Sequence, residues 1–336
     1  MTDATAPRPA GVRDVARVAG VSTQTVSRVI NDHPNIRVET RERVLAAIAE
    51  LDYRVNNAAR TLGTASTRTI GVIASDAELY GPAVAIAALE QAARDGGRWI
   101  ATAHADASDP LAVADAAQNL LAQGVDGIIV VAAHARTLPV LEAADLGVPF
   151  AAMHAGSGAD AQADAAATVV SHLVDLGHRR IGRLAGPEDW LEESARATGH
   201  THGLEAHRLR SAALWRGDWS ARSAAHVAAQ VALAVRTGAV TAVAAANDQM
   251  ALGLIAGLRA QGIRVPEDVS VTGFDDNPDA AYYVPALTTV RIDIAGEAQR
   301  CVGEVISGTV PVTSANALSV ADAPRLVVRD STSGAT

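Results

Sequence analysis

A helix-turn-helix pattern occupies residues Asp14–Asn31, whose sequence is DVARVAGVSTQTVSRVIN. The first half predicts a short helix that ends at Gly20, and the second half predicts a helix that starts at Ser22. Small alanines before the glycine let two helices cross closely, and glycine accepts the backbone conformation of a turn. The Ser22 hydroxyl can accept a hydrogen bond from a free amide in the first turn of the second helix. We therefore expect the second helix to enter the major groove of DNA.

Polar side chains on the predicted second helix have the chemistry to contact DNA. An arginine pairs bidentately with guanine and a glutamine with adenine, whereas hydroxyl groups bond to bases or to phosphates. A helix pair that merely exposes a polar face to water is the alternative interpretation. The residues of this helix that we predict to contact DNA are Thr23, Gln24, Ser27, Arg28 and Asn31.

Charge is distributed unevenly along the chain. The formal net charge is −9, which alone argues against binding to nucleic acid. Residues 1–60 nevertheless contain nine arginines against seven acids, a balance of +2, so the remainder carries −11. A third helix is predicted over residues 40–51, because Val44, Ile48 and Leu51 fall on one helix face. A small basic head, residues 1–54, on an acidic body indicates a DNA-facing module attached to a larger part.

Residues 55–68 have the composition of a hinge and linker. The segment 56–62 has moderate helix potential and is followed by Gly63 and by a stretch rich in threonine and serine. A helix this short is marginal when isolated. We therefore expect it to form only when another molecule holds it.

Strands and helices alternate in the remaining part of the chain, residues 69–336. The predicted strands occupy residues 70–74, 99–103, 127–131, 149–153, 181–186, 211–216, 242–245 and 270–273. The predicted helices occupy residues 83–95, 110–123, 137–145, 194–208, 220–237 and 248–261. Apolar strands joined by helices form parallel sheets that are covered on both faces. The pattern restarts at Ile181, so we predict an α/β core of two doubly wound lobes, with ligands at the carboxyl ends of the strands.

The predicted helix-turn-helix resembles the signature of the LacI family of bacterial regulators, D-V-A-x-x-A-G-V-S-x-x-T-V-S-R-V-I-N. The linker is similar to the family's hinge, Y-x-P-N-x-x-A-R-x-L, with Val55 in the place of the proline. The resemblance implies that a hinge helix forms on operator DNA. It also implies that Leu62 of each protomer wedges into the minor groove, where the larger protein–DNA interface on the bent duplex offsets the cost of unstacking. The linker residues predicted to contact DNA are Asn56, Ala59 and Leu62.

The resemblance to the LacI family continues to about Asp330 and implies a core like that of the periplasmic binding proteins. The most specific matches are LGHRRI at 176–181, ANDQMALG at 246–253 and VTGFDD at 271–276. Alignment with the family assigns one set of residues to effector contacts. This set of predicted ligand-binding residues comprises Ser75, Leu79, Pro82, His154, Arg196, Trp219, Asn247 and Asp275.

The side chains at these positions suit a sugar. An arginine donates, a carboxylate accepts from hydroxyls, an amide does both, and a tryptophan covers the C–H face of a pyranose. Two residues have structural alternatives, since Asn247 could cap the following helix and Trp219 could belong to the lobe core. His154 replaces an aspartate that contacts the sugar in the family, and Ile292 replaces a polar residue. The match to a galactoside pocket is therefore incomplete.

These observations predict a transcriptional repressor that binds a pseudo-palindromic operator as a homodimer. A small sugar, a galactoside or another glycoside, is expected to lower its affinity for the operator. The alternative within the family is a corepressor-dependent regulator that responds to a purine-like or another non-sugar metabolite.

Other function classes fit the sequence less well. A periplasmic sugar-binding protein would share the two lobes, but the first dozen residues do not form a secretory signal. No nucleophile–base arrangement, phosphate loop or metal motif is recognisable, so we expect no enzyme activity, no cofactor and no metal. The sequence has no apolar run of membrane length and a single cysteine, Cys301. A cytoplasmic location without membrane association is therefore expected.

Overall fold

The computed structural model describes residues 10–30, 33, 35–53, 66–308 and 321–335. The chain divides into two compact units, Met1–Thr67 and Arg68–Thr336, and each is described by itself. The DNA contacts predicted at Asn31 and in the hinge lie outside the described residues and stay predictions. These hinge positions are Asn56, Ala59 and Leu62. The predicted limits of the head, hinge and core also stay predictions.

Three helices form the head: α1 (Val12–Ala19), α2 (Thr23–Ile30) and α3 (Val38–Glu50). Gly20 ends α1 in the left-handed conformation, with a φ of 63°, and its N–H bonds back to the last turn of the helix. The hydroxyl of Ser22 accepts the N–H of Thr25 at 3.1 Å. This bond confirms the predicted cap of the second helix.

Apolar side chains from all three helices of the head meet in one small core. The largest buried members are Val15, Val26, Val29, Val44 and Tyr53. Ile48 and Leu51, which share a helix face with Val44, pack against this core while remaining partly exposed. Because seven of the eight described residues buried in this core are valines or alanines, the head depends on close helix crossings.

The first lobe of the larger unit contains a four-stranded parallel sheet in the order β2-β1-β3-β4. Its strands are β1 (Thr69–Ala74), β2 (Trp99–His104), β3 (Gly127–Val131) and β4 (Phe150–Ala152). The connecting helices are α4 (Tyr80–Asp95), α5 (Pro110–Ala122) and α6 (Leu138–Ala143). Almost every residue of the two central strands is buried, as expected for strands covered by helices on both faces.

The second lobe repeats this arrangement with a parallel sheet in the order β6-β5-β7-β8. Its strands are β5 (Ile181–Ala185), β6 (Leu214–Arg216), β7 (Ala242–Ala245) and β8 (Ser270–Thr272). Its helices are α7 (Ser157–Asp175), α8 (Leu191–Ala206), α9 (Ala221–Arg236) and α10 (Asp248–Ala260). The predicted fold class is confirmed. The sequence analysis did not predict α7, and it placed the start of α8 three residues too late.

The end of the chain connects the two lobes again. It contains a 3-10 turn (Ala280–Tyr282), β9 (Thr289–Arg291), α11 (Ile294–Ser307) and β10 (Arg325–Val327). Helix α11 packs on α4, β3 and β4 of the first lobe, whereas β9 and β10 form an antiparallel pair that contacts α7 of the second lobe. The described segments thus alternate between the lobes, since α11 lies on the first lobe whereas β9 before it and β10 after it lie on the second. In the ranges that the structure describes, no helix is long and apolar enough to cross a membrane.

Candidate functional site

The head exposes one polar side of α2. Four predicted DNA contacts are exposed, whereas Val26 and Val29 on the opposite side of the helix are buried in the head core. The exposed residues are Thr23, Gln24, Ser27 and Arg28. The helical period separates these two sets, because positions three and four apart share a face. The structure thus leaves these four side chains exposed, and their contacts with DNA stay predictions.

A cavity lies between the two lobes of the core, at the carboxyl ends of the strands of both sheets. Open parallel sheets place ligand sites at this edge. The first lobe contributes the start of α4, the end of β3 and the residues after β4. The second lobe contributes the start of α8 and the residues after β6, β7 and β8. The lining residues are Leu79, Tyr80, Gly81, Pro82, Ala85, Val131, Ala132, Met153, His154, Trp190, Glu192, Arg196, Trp219, Asn247, Gln249, Asp275, Ile292 and Ile294.

All but one of the predicted ligand-binding residues line this cavity. The exception is Ser75, which follows β1 and is not among the lining residues. Its hydroxyl bonds to the carboxylate of Asp76 and accepts the N–H of Ala107 at 3.3 Å. Within the described residues, Ser75 therefore joins two loops of the first lobe, and its predicted ligand contact stays a prediction.

A buried ion pair forms the polar centre of the cavity. Arg196 donates from Nη2 to Oδ1 of Asp275 at 3.0 Å, and both side chains are less than a tenth exposed. The Arg196 Nε donates to Oε1 of Gln162 at 2.8 Å, and Nη1 donates to the carbonyl of Ala246. The guanidinium carbon lies 3.9 Å from the ring centroid of Phe274. Arg196 is therefore held in one orientation, with its charge balanced by Asp275.

Four residues that line the cavity have strained backbones. Ala132, His154, Trp219 and Asp275 have φ values of 57°, 60°, 72° and 107°, in the region that favours glycine. Such conformations cost on the order of 1–3 kcal/mol each and persist where the surrounding structure enforces them. Their concentration around one cavity is typical of a functional site.

Asn247 both caps a helix and holds the loop that carries Trp219. Its Oδ1 accepts the N–H of Met250 at 2.8 Å, so the capping alternative is realised. Its Nδ2 donates to the carbonyl of Trp219 at 3.0 Å and to Oε1 of Gln249 at 3.2 Å. Because both amide hydrogens have protein partners, Asn247 offers a ligand only acceptor capacity.

Trp219 belongs to the lobe core and to the cavity wall at once. It is 5% exposed, and its ring meets that of Trp190 edge to face at a centroid distance of 5.5 Å. Its indole Nε1 has no hydrogen-bond partner within the described structure. The two tryptophans thus contribute two mutually inclined apolar rings to the cavity wall.

Two hydrogen bonds hold His154 in the cavity wall. Its backbone N–H donates to Oε1 of Glu297 at 2.7 Å, which holds the left-handed backbone. Its Nδ1 lies 3.3 Å from Nε2 of Gln162, whose Oε1 accepts from Arg196. The imidazole therefore belongs to the same hydrogen-bond network as the Arg196–Asp275 pair.

The sequence analysis missed several lining residues, including Trp190 and Glu192 at the start of α8. It began this helix at residue 194, so both residues fell outside the predicted helix. Glu192 is only 9% exposed, and its Oε2 has no hydrogen-bond partner in the part of the chain that the structure describes. The sequence Trp-Leu-Glu-Glu at residues 190–193, with an acidic pair two residues after a tryptophan, is the signal that could have indicated a buried helix start. Within the described ranges, no group of His, Cys, Asp and Glu residues could hold a metal ion.

Asp248 is a buried carboxyl beside the cavity. Burial, reinforced by the charge of Asp275, raises its pKa to about 8, although Thr289 and Asn277 bond to its two oxygens. Between its ordinary value of 3.8 and about 8, the unfolded chain loses this proton before the folded chain does. The folded state therefore binds more protons in this window, and its stability falls as the pH rises.

Replacing Asp248 with asparagine should remove this loss of stability. An amide can accept the Asn277 N–H through oxygen and donate to Thr289 through nitrogen, and it cannot ionise. We expect the variant to match the wild type near pH 4 and to exceed it by at least about 2–4 °C in Tm at pH 8. Asp268→Asn is the control with the opposite expected effect on Tm. Hydrogen bonds from Arg264 lower the pKa of Asp268 to about 2, so the ionised carboxylate stabilises the fold and its removal should lower the Tm at pH 8. Equal thermal melting curves for Asp248→Asn and the wild type across this pH range would contradict the prediction.

Comparisons with known proteins indicate the same family of regulators over most of the chain. Residues 12–56 match the family described as bacterial regulatory proteins, lacI family, and residues 170–332 match the periplasmic binding protein-like domain. The chain is 36% identical over 294 residues to the lactose operon repressor of Escherichia coli (strain K12), which covers 85% of this chain and 81% of that protein. It is 31% identical over 291 residues to the transcriptional repressor PurR of Haemophilus influenzae, which covers 84% of this chain and 86% of that protein.

A solved structure supports the same relationship. The lac repressor dimer bound to operator and the anti-inducer ONPF has a TM-score of 0.80 to this chain at 33% identity, covering 97% of this chain and 100% of that one. These relatives are transcriptional regulators. The chain belongs to the LacI family of bacterial regulatory proteins, and it is a DNA-binding transcriptional repressor of that family.

Proposed function

We propose that this repressor binds a pseudo-palindromic operator as a homodimer and releases it when a small sugar, a galactoside or another glycoside, enters the cavity between the lobes. The observation that carries the proposal is the combination of the Arg196–Asp275 pair with the face of Trp219 at the carboxyl ends of both sheets. The pair supplies directional polar contacts for hydroxyl groups, and the tryptophan supplies an apolar surface for the C–H face of a sugar ring.

Two further observations support the DNA and dimer parts of the proposal. The exposed side of α2 carries Gln24 and Arg28, whose side chains match adenine and guanine. On the larger unit, Tyr282 and Val284 are 82% and 74% exposed and border a groove together with Leu252. An apolar patch of this kind is typical of an interface, and the related lac repressor was solved as a dimer on operator. Coupling between ligand and DNA sites is typically worth about 1–3 kcal/mol.

A purine-like corepressor is the second candidate. The relative named PurR is 31% identical to this chain, and the cavity walls formed by Trp190 and Trp219 could also stack on a flat base. The two candidate ligands have opposite expected effects on operator affinity, because an inducer weakens operator binding whereas a corepressor strengthens it.

The test measures operator affinity of the full-length protein with and without ligand. DNA sites are first selected from a random duplex library, and mobility shifts are then recorded with neutral galactosides, glucosides and disaccharides and with purine bases. A glycoside that releases the DNA supports the proposal. A purine base that tightens DNA binding, without any effect of a glycoside, overturns it.

Replacing Asp275 with asparagine should separate the two activities. Asparagine keeps a hydrogen bond to Arg196 and tolerates the left-handed backbone, but it loses the charge that strengthens bonds to ligand hydroxyls. We expect ligand affinity to fall about 10- to 100-fold, while operator affinity without ligand stays at the wild-type level. Loss of both activities together, or an unchanged ligand response, would contradict the role assigned to Asp275.

A further inference from the structure

We infer that Glu192 makes the cavity selective for uncharged ligands: its carboxylate accepts a hydrogen bond from a ligand hydroxyl and excludes phosphorylated and acidic sugars. The inference rests on the proposed sugar response and specifies the chemical class of the sugar.

The two neighbouring glutamates at the start of α8 have opposite environments. Glu193 is fully engaged by the protein, since Oε1 pairs with Arg183 at 2.7 Å and Oε2 accepts the N–H of Gly186 at 2.8 Å. Glu192 lines the cavity, and its buried Oε2 has no hydrogen-bond partner in the described structure. Leaving a buried polar group unpaired costs free energy, more so when the group is charged. A hydroxyl group from a ligand would remove this cost.

The charges around the cavity do not compensate Glu192. Arg196 is paired with Asp275 at 3.0 Å, and Nδ1 of His154 lies 3.3 Å from the amide of Gln162 rather than at Glu192. His134, next to Glu192, does not supply a cation near neutral pH, because burial lowers its pKa despite nearby Asp76 and Glu192. Both of its ring nitrogens also lack partners within the described residues. Among the described residues that line the cavity, Glu192 is thus the acidic side chain that has no ion-pair partner.

A negative charge in a buried site repels an anionic ligand strongly. Like charges a few ångströms apart interact unfavourably, and the interaction grows as water is excluded. Glu192 and Asp275 line the same cavity, so an anionic group bound there would face both carboxylates. A phosphate or a uronic acid would add a second negative charge there, whereas a hydroxyl would add only a donor.

The experiment compares ligand pairs that differ in one charged group. Binding of the full-length protein is measured by titration calorimetry with a panel of neutral galactosides, glucosides and disaccharides, and with the 6-phosphate and the uronic acid of each. We expect the wild type to prefer the neutral member by at least about 100-fold. Glu192→Gln has the same shape without the charge. This variant should bind the neutral ligand about 10-fold more weakly than the wild type does. Its ratio of affinities for the neutral and the charged ligand should be smaller than that of the wild type by at least about 10-fold.

Two further variants keep the test interpretable. Glu188→Gln changes an exposed carboxylate in the preceding loop, paired with Arg216 at 3.3 Å, and should leave affinity and preference unchanged. Glu192→Leu removes the unpaired charge. It should therefore keep or raise the Tm of the ligand-free protein while abolishing sugar binding, which separates loss of a contact from loss of the fold.

Failure of the role of Glu192 is distinguishable from failure of the proposed function. A wild type that binds phosphorylated sugars best, or a Glu192→Gln variant with the wild-type preference, overturns the role of Glu192 while leaving a sugar response intact. A wild type that binds no sugar of the panel and responds to purine bases overturns the proposed function, and the role of Glu192 fails with it.

Discussion

Replacing Arg196 with alanine should lower the free energy of unfolding by about 3–5 kcal/mol and abolish the response to ligand. The Arg196 and Asp275 side chains are only 7% and 8% exposed, so removal of the cation leaves a carboxylate that water cannot solvate. Burial already raises the pKa of Asp275, and Arg196 is the main group that opposes this rise. The variant also releases Gln162 and the carbonyl of Ala246 from their bonds to the guanidinium.

A double variant separates the structural and binding roles of Arg196. Arg196→Met combined with Asp275→Asn leaves no ionised group of the pair, so most of the lost stability should return, whereas ligand binding should not. Urea unfolding of the single and double variants, with operator affinity as the control for the head, measures both effects. An Arg196→Ala protein whose stability lies within about 1 kcal/mol of the wild type would show that the pair is not essential to the fold.

Replacing Gly199 with alanine should destabilise the second lobe by about 3 kcal/mol. A Cβ at Gly199 would lie far inside van der Waals contact with the carbonyl oxygen of Ala163, because α7 and α8 cross closely at this point. The clashing atom belongs to the backbone and cannot rotate away, so one helix must move. Movement of these helices would also displace Gln162 from Arg196, and ligand affinity should fall with stability.

The matched control is Gly81→Ala, in the first turn of α4. A Cβ at Gly81 has no neighbouring atom within 4 Å. Its backbone is helical and has no positive φ. This substitution should therefore raise the free energy of unfolding by about 0.4–1 kcal/mol, chiefly by restricting the unfolded chain. Equal destabilisation by both alanines in thermal and urea unfolding would show that steric contact between α7 and α8 is not the cause.

Local patterns in the sequence were sufficient for the head and for most elements of the core. Gly20 and Ser22 fix the turn of the helix-turn-helix through backbone conformation and capping, which involve only neighbouring residues. Runs of apolar residues predicted β1, β3 and β7, because a buried strand can also be recognised from neighbouring residues alone. Helix α7 was missed because its alanine-rich sequence gives little contrast between an apolar and a polar face. Family resemblance selected seven of the 18 residues that line the cavity, but not Glu192.

The sequence by itself determined the helix-turn-helix and the two parallel sheets, because each depends on short-range periodicity or on a contiguous motif, and family resemblance selected seven of the cavity residues. The tertiary structure alone decided that α11 packs on the first lobe, that Asp275 pairs with Arg196 and that Oε2 of Glu192 has no partner among the described residues. These features depend on which distant groups meet in a buried space. These tertiary contacts set the balance of buried charge in the cavity, and the ligand selectivity inferred for the cavity depends on that balance.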